Sequence, residues 1–208
     1  MNCVKLPVCP NYRRYAAGLV GTLAFLGAIT ACGGSSGGKA ADANTLLQAG
    51  IKEQQKGDSN AARQLFEQVL AKQPNNFYAH YNLGVLDQQA KDNASALREY
   101  GAALTINPDY VPALFNEATI FATTDAELAI TTYRKVILLQ PKSPTAYLNL
   151  GLLEAAHGEM AQGIKDLNTA LHQDPSLGTQ VPPALLKKVG AYANSGANSS
   201  PAPTPTHT

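Results

Sequence analysis

From about residue 43 onward the chain places apolar residues at helical spacing, in runs that polar turns and prolines interrupt. The pattern is plainest in Tyr78-Ala79-His80-Tyr81-Asn82-Leu83-Gly84-Val85-Leu86, which begins an amphipathic helix that runs to the polar turn Lys91-Asp92. A second helix follows from Ala94 to Ile106, with Ala96, Leu97, Tyr100, Ala103 and Leu104 on its apolar face. Asn107-Pro108 ends it, because a proline disfavours helical backbone in the residue before it.

The same pair of helices returns at a fixed interval. Pro74, Pro108, Pro141 and Pro175 are separated by 34, 33 and 34 residues. Gly50, Gly84, Ala118 and Gly151 are separated by 34, 34 and 33, and Ala62, Ala96, Ala129 and Gly163 by 34, 33 and 34. The three columns share one period and agree that a residue is missing between Ala118 and Ala129. That interval is a turn, which can shorten and leave both helices whole. Small residues in two columns let the helices of a unit approach closely, and a lone pair cannot hide its apolar face, so units must stack.

The expected architecture is all-α. It is an α-solenoid of about four helix pairs, over 43–76, 77–110, 111–143 and 144–177, with a C-terminal capping helix over 182–193. Pro182-Pro183 suits the first turn of that helix. Lys187 and Lys188 supply its polar face, and Leu185, Leu186 and Val189 supply the other. Residues 194–208 are Ser, Asn, Pro, Thr and Ala, too polar to build a core, and are assigned no secondary structure.

These units resemble the tetratricopeptide repeat, with its Trp-x-x-Leu-Gly-x-x-Tyr first helix, Ala-x-x-x-Phe second helix and closing Pro. Here the motif is written His80-x-x-Leu83-Gly84-x-x-Asp87, Ala96-x-x-x-Tyr100 and Pro108. The last unit writes Tyr147-x-x-Leu150-Gly151-x-x-Glu154, Gly163-x-x-x-Leu167 and Pro175. The first unit keeps Gly50, Gly57-Asp58, Ala62, Phe66 and Pro74, and the third keeps Ala118, Phe121, Ala129, Tyr133 and Pro141. The resemblance covers about residues 43 to 175. The chain departs from it in having no Trp and in placing Glu117 where the third unit should have Leu.

In that family the first helices line a concave groove that takes an extended peptide or a partner's helix. The resemblance places Asn82, Asn116 and Asn149 in the groove column, with Tyr78, Tyr81, Val85, Phe115, Leu148 and Leu152 in its apolar lining. An amide can donate to and accept from a ligand's backbone whatever the ligand's sequence. It can equally satisfy side chains between helices, and the sequence does not separate the two roles. The column has no Lys or Arg, which argues against the family members that clamp a C-terminal carboxylate. Glu53, Asp87 and Glu154 stand in the repeat's Tyr column and are expected on solvated helix surface, the alternative being an acidic track for a basic partner.

The N-terminal pattern differs. Lys5, Arg13 and Arg14 precede the uncharged run Ala16 to Ala28, which leads into Ile29-Thr30-Ala31-Cys32 and then Gly33-Gly34-Ser35-Ser36-Gly37-Gly38. This order predicts an export signal over 1–31 and a tether over 32–42. The box Ile29 to Cys32 resembles that of bacterial lipoproteins, which implies a diacylglyceryl thioether on Cys32 and attachment to the outer face of the bacterial cell membrane, or to the outer membrane of a Gram-negative cell. Cleavage after Ala31 without lipid and an uncleaved anchor stay open as alternatives.

Composition narrows the function. The 208 residues are 45% hydrophobic and 15% charged, which suits one folded region. The net charge of +1 becomes negative once the three basic residues ahead of Cys32 are set aside, so no basic stripe points to nucleic acid. Cys3, Cys9 and Cys32 leave the body after Gly33 without a thiol, and His80, His157, His172 and His207 lack ligand spacing. No phosphate loop, nucleophile elbow or zinc-helix motif occurs. No catalytic residue, metal or cofactor is expected, and the chain reads as no enzyme. The sequence reads as a membrane-anchored adaptor or scaffold for protein–protein interaction at the bacterial cell envelope, in biogenesis or secretion. The alternative is an accessory module that binds a small hydrophobic ligand for an enzyme or transporter.

Overall fold

The structure, a computed structural model, describes residues 41–195. The export signal, Cys32 and most of the tether lie outside the described residues, as do residues 196–208 of the tail. All regular structure described is helical: α1 (Ala43–Lys56), α2 (Ser59–Lys72), α3 (Phe77–Gln89), α4 (Asn93–Ile106), α5 (Val111–Phe121), α6 (Ala126–Leu139), α7 (Pro144–Ala156), α8 (Met160–Gln173), a 3-10 turn (Pro175–Gln180) and α9 (Pro183–Asn194).

Short polar side chains set where helices begin. Asp42, Asp58, Asn76, Asp92 and Asp125 each accept from the backbone N–H three residues on, at 2.7 to 3.1 Å, so an otherwise unpaired first-turn donor is satisfied. The turns inside units reveal what the missing residue was. Gly57, Lys91 and Gly158 hold φ of 85°, 64° and 99° in the first, second and fourth units. The third unit has no left-handed residue: its chain turns through Thr123-Thr124, and the Asp125 N–H donates to Phe121 O at 2.7 Å. The deletion therefore removes the one position of the turn that L-residues adopt reluctantly.

Each first helix packs on the second helix of its unit, α1 on α2, α3 on α4, α5 on α6 and α7 on α8. The small columns make this possible. A Cβ on Gly84 would come within 2.6 Å of the Tyr100 ring, and one on Gly151 within 2.7 Å of the Gly163 carbonyl oxygen. Apolar clusters continue from unit to unit. Phe66 and Val69 meet Leu83 and Leu86, and Tyr133 and Val136 meet Leu150 and Leu153. The C-terminal end is closed by Leu177, Val181 and Val189 packed with Leu148, Leu152 and Leu167. On α9 the structure corrects one expectation: Leu186 is 39% exposed, and Val189 carries the buried face with Leu185 beside it.

The acidic column is also corrected. Asp87 and Glu154 are buried and do not lie on solvated surface. Arg63 on α2 donates to Asp87 at 2.6 Å, and Arg134 on α6 donates to Glu154 at 2.8 Å and to Glu159 at 3.0 Å. The acids thus tie the second unit to the first and the fourth to the third, because a buried charge needs a partner. Only Glu53 keeps a surface role, pairing with Lys56. His80, in the motif's Trp position, bonds through Nδ1 to Glu99 Oε2 at 2.8 Å.

Candidate binding groove

The first turn of α3 brings Phe77, Tyr78 and Tyr81 onto neighbouring positions, since residues three and four apart share a helix face. Tyr110, which precedes α5, inserts among them. Its ring lies 5.0 Å from Phe77, 5.7 Å from Tyr78 and 5.1 Å from Tyr81, steeply tilted to each, the edge-to-face geometry that aromatic quadrupoles favour. Tyr100 from α4 extends the cluster 5.9 Å beyond Tyr81. Burial, with Tyr81 and Tyr78 adjacent, pushes the Tyr110 phenol up to about 12. Burial raises Tyr81 and Tyr100 as well, so at neutral pH all three are uncharged hydroxyls that can donate and accept.

Beside this cluster opens a cleft of about 250 Å³ lined by Tyr81, Val111, Pro112, Phe115, Asn116, Gln140 and Ser143. None of these side chains is charged. The cleft runs along the beginnings of α5 and α7, and Phe115, which lines it, meets the buried Tyr133 ring at 5.6 Å.

The three asparagines do not act alike. Asn116 donates to the Tyr100 hydroxyl at 3.2 Å, and Asn149 donates to the Tyr133 hydroxyl at 3.1 Å, each reaching the second helix of the preceding unit. Asn82 donates to the Tyr78 carbonyl of its own helix at 2.7 Å. The reason lies in the column of Phe66, Tyr100 and Tyr133: the first unit offers a Phe, which has no hydroxyl for Asn82 to reach. Two of the three amides therefore satisfy a buried tyrosine between units, and of the three only Asn116 also borders the cleft.

Of the groove residues expected from sequence, Tyr81, Phe115 and Asn116 come together in the cleft, and Tyr78, 46% exposed, stands at its edge through Tyr110. Val85 is half-buried one turn further along α3, packed on the Tyr100 cluster. Leu148 and Leu152 do not line a groove. They are 0% and 6% exposed because the chain beyond α8 returns over them. Sequence reasoning missed Tyr110, Pro112, Gln140 and Ser143. A signal existed: Asn76, Tyr110 and Ser143 form a cap column, in which a tyrosine cannot cap and must use its ring elsewhere.

Among the described residues no cluster of His, Cys, Asp or Glu could hold a metal ion, and no helix is long and apolar enough to cross a membrane. Stacked helix pairs with an uncharged aromatic cleft define a helical-repeat interaction module. The tetratricopeptide repeat model matches residues 47–112 and 121–177, more than half of the chain, and the chain belongs to that family. In sequence it is similar to the photosystem I assembly protein Ycf3 of Prochlorococcus marinus (strain NATL2A), 35% identical over 89 residues, 41% of this chain and 51% of that protein. The chain thus spans about half the length of the curated relatives it matches. In structure it is similar to MamA from Desulfovibrio magneticus RS-1, with a TM-score of 0.62 at 18% identity over 75% of this chain and 93% of that one. It is also similar to pilF of Pseudomonas aeruginosa, with a TM-score of 0.62 at 23% identity over 73% and 70%. These two likenesses show the fold. The repeats form a protein-interaction scaffold.

Proposed function

We propose that the chain is a lipid-anchored adaptor at the bacterial envelope, held by Cys32 and recruiting an extended segment of another protein into the cleft between α3, α5 and α7 for assembly of an envelope component. The observation that carries this reading is the cleft: apolar rings with neutral amides and hydroxyls between them suit a peptide backbone with apolar side chains. The likeness to an assembly protein supports the kind of task. A small hydrophobic ligand is the weaker occupant, because such sites enclose roughly 300–1,000 Å³, more than this open cleft of about 250 Å³.

Photo-crosslinking in intact envelopes tests the groove. A crosslinker at Tyr78 should capture a partner, and one at Leu128, exposed at the far end of α6, should not. Equal yields at the two positions defeat the reading. The anchor is tested separately by Cys32→Ala, which should abolish labelling by a lipid precursor and release the chain from membranes; continued membrane attachment would defeat that half alone.

A further inference from the structure

We propose that the chain's own C-terminal segment, residues 196–208, docks its Pro201-Ala202-Pro203-Thr204-Pro205 run in the cleft lined by Tyr81, Phe115, Asn116 and Gln140, as a built-in competitor for an outside partner.

The two surfaces match in chemistry. After Lys188 the chain has no Asp, Glu, Lys or Arg, and the cleft has none either, so docking buries no charge. Alternate prolines fix their own φ and bias the residue before each toward extended backbone. Such a segment has no internal hydrogen bonds, and its carbonyls are left to accept from outside. The amide N–H groups of Gln140 and the Tyr81 hydroxyl are donors of that kind, and the rings of Tyr81 and Phe115 offer flat apolar faces for the pyrrolidines. Little chain entropy is lost, because the prolines have already restricted the backbone.

The path also fits. Leu177, Val181 and Val189 already cover Leu148 and Leu152, which occupy in the last unit the positions that Phe115 and Thr119 hold in the third. The C-terminal part of the chain therefore already lies over groove positions, and α9 ends at Asn194, five residues beyond Val189. Two helix spacings of about 8–10 Å each across the stack and about 18 Å along α9 make a diagonal of about 27 Å, and an extended chain from Asn194 to Pro203 spans about 30 Å.

The chain has no Trp, so Thr206→Trp in the full chain is a single reporter. The docked segment should give blue-shifted emission and protection from acrylamide, both independent of chain concentration. Both should be lost when Pro201, Pro203 and Pro205 are replaced by Ser, changes that lie outside the folded repeats, and when Phe115→Ala removes a lining ring of the cleft. An indole equally quenched in every variant overturns the proposal. So does protection that survives the proline replacement, which places the segment elsewhere. Protection that rises with concentration puts a second copy's tail in the cleft and overturns the intramolecular assignment. The readout needs no partner, so it can succeed or fail independently of the recruitment function.

Discussion

Tyr81, Phe115 and Leu148 occupy the same position in successive units, yet the first two line an open cleft and the third has no exposure at all. The middle of the stack is flanked by further units of the same kind, and their first helices leave a concavity. The C-terminal end has no next unit, so the 3-10 turn and α9 fold back and fill the same concavity with Leu177, Val181 and Val189. One column of a repeat thus serves binding in one place and stability in another, according to what lies over it.

The contrast can be broken most forcefully at Leu148. Leu148→Ala should lower unfolding stability by about 2–5 kcal/mol in chemical denaturation, the range for emptying a closed core site. Tyr81→Ala, at a half-exposed ring, should cost clearly less and act on partner capture. Comparable losses would mean that the cleft is core and not a docking site.

A second contrast lies in the acidic column. Asp87 has one partner, Arg63, whereas Glu154 is wholly buried, with Arg134 on Oε1 and no hydrogen-bond partner on Oε2. The Asp166 carboxyl lies alongside, itself holding Gln162 at 3.1 Å. Two ionised carboxylates side by side repel, which favours Glu154 in its neutral form. Burial and then Asp166 push Glu154 up to about 7, against the pull of Arg134. A carboxyl raised on folding binds its proton more tightly in the native state, so stability is highest below the ordinary value near 4.5 and is lost as pH rises through about 7. Burial moves Glu117 in the same direction. Asp42, lowered by the Thr45 backbone, and Asp92, lowered by Ser95, act with the opposite sign and only in more acidic solution. The melting temperature should therefore fall between pH 5 and pH 8, and Glu154→Gln should remove most of that slope, worth on the order of 2 kcal/mol. A slope unchanged in Glu154→Gln would refute the assignment to Glu154.

The asparagines give a smaller effect. Asn116→Ala leaves the Tyr100 hydroxyl without that donor and should cost about 1 kcal/mol. Asn82→Ala should be nearly silent in the same denaturation measurement, because its bond is local to α3. A small effect of opposite sign is expected at Lys91, the only non-glycine left-handed residue described. Lys91→Gly should gain about 0.5–1 kcal/mol, less whatever the unfolded chain gains in freedom.

Much of this was legible in sequence. The period of 34, the proline stops and the lost residue before Ala129 forecast a helical stack, and Phe115, Tyr81 and Asn116 were forecast in the groove. The unread part has a common character. Asn116 reaches Tyr100 across 16 residues, Arg63 reaches Asp87 across 24, and Arg134 reaches Glu154 across 20. Each bond crosses from one unit to the next, where periodicity within a unit says nothing about which side chains meet.

By itself, the sequence determined the helices, their turns and their repetition, because helix periodicity, capping and proline stops are local effects that act within a few residues. Only the tertiary structure decided which copies of a repeated column remain open. Leu148 is closed and Phe115 is not because the chain returns over one end of the stack, and burial is a property of what comes to lie opposite a residue.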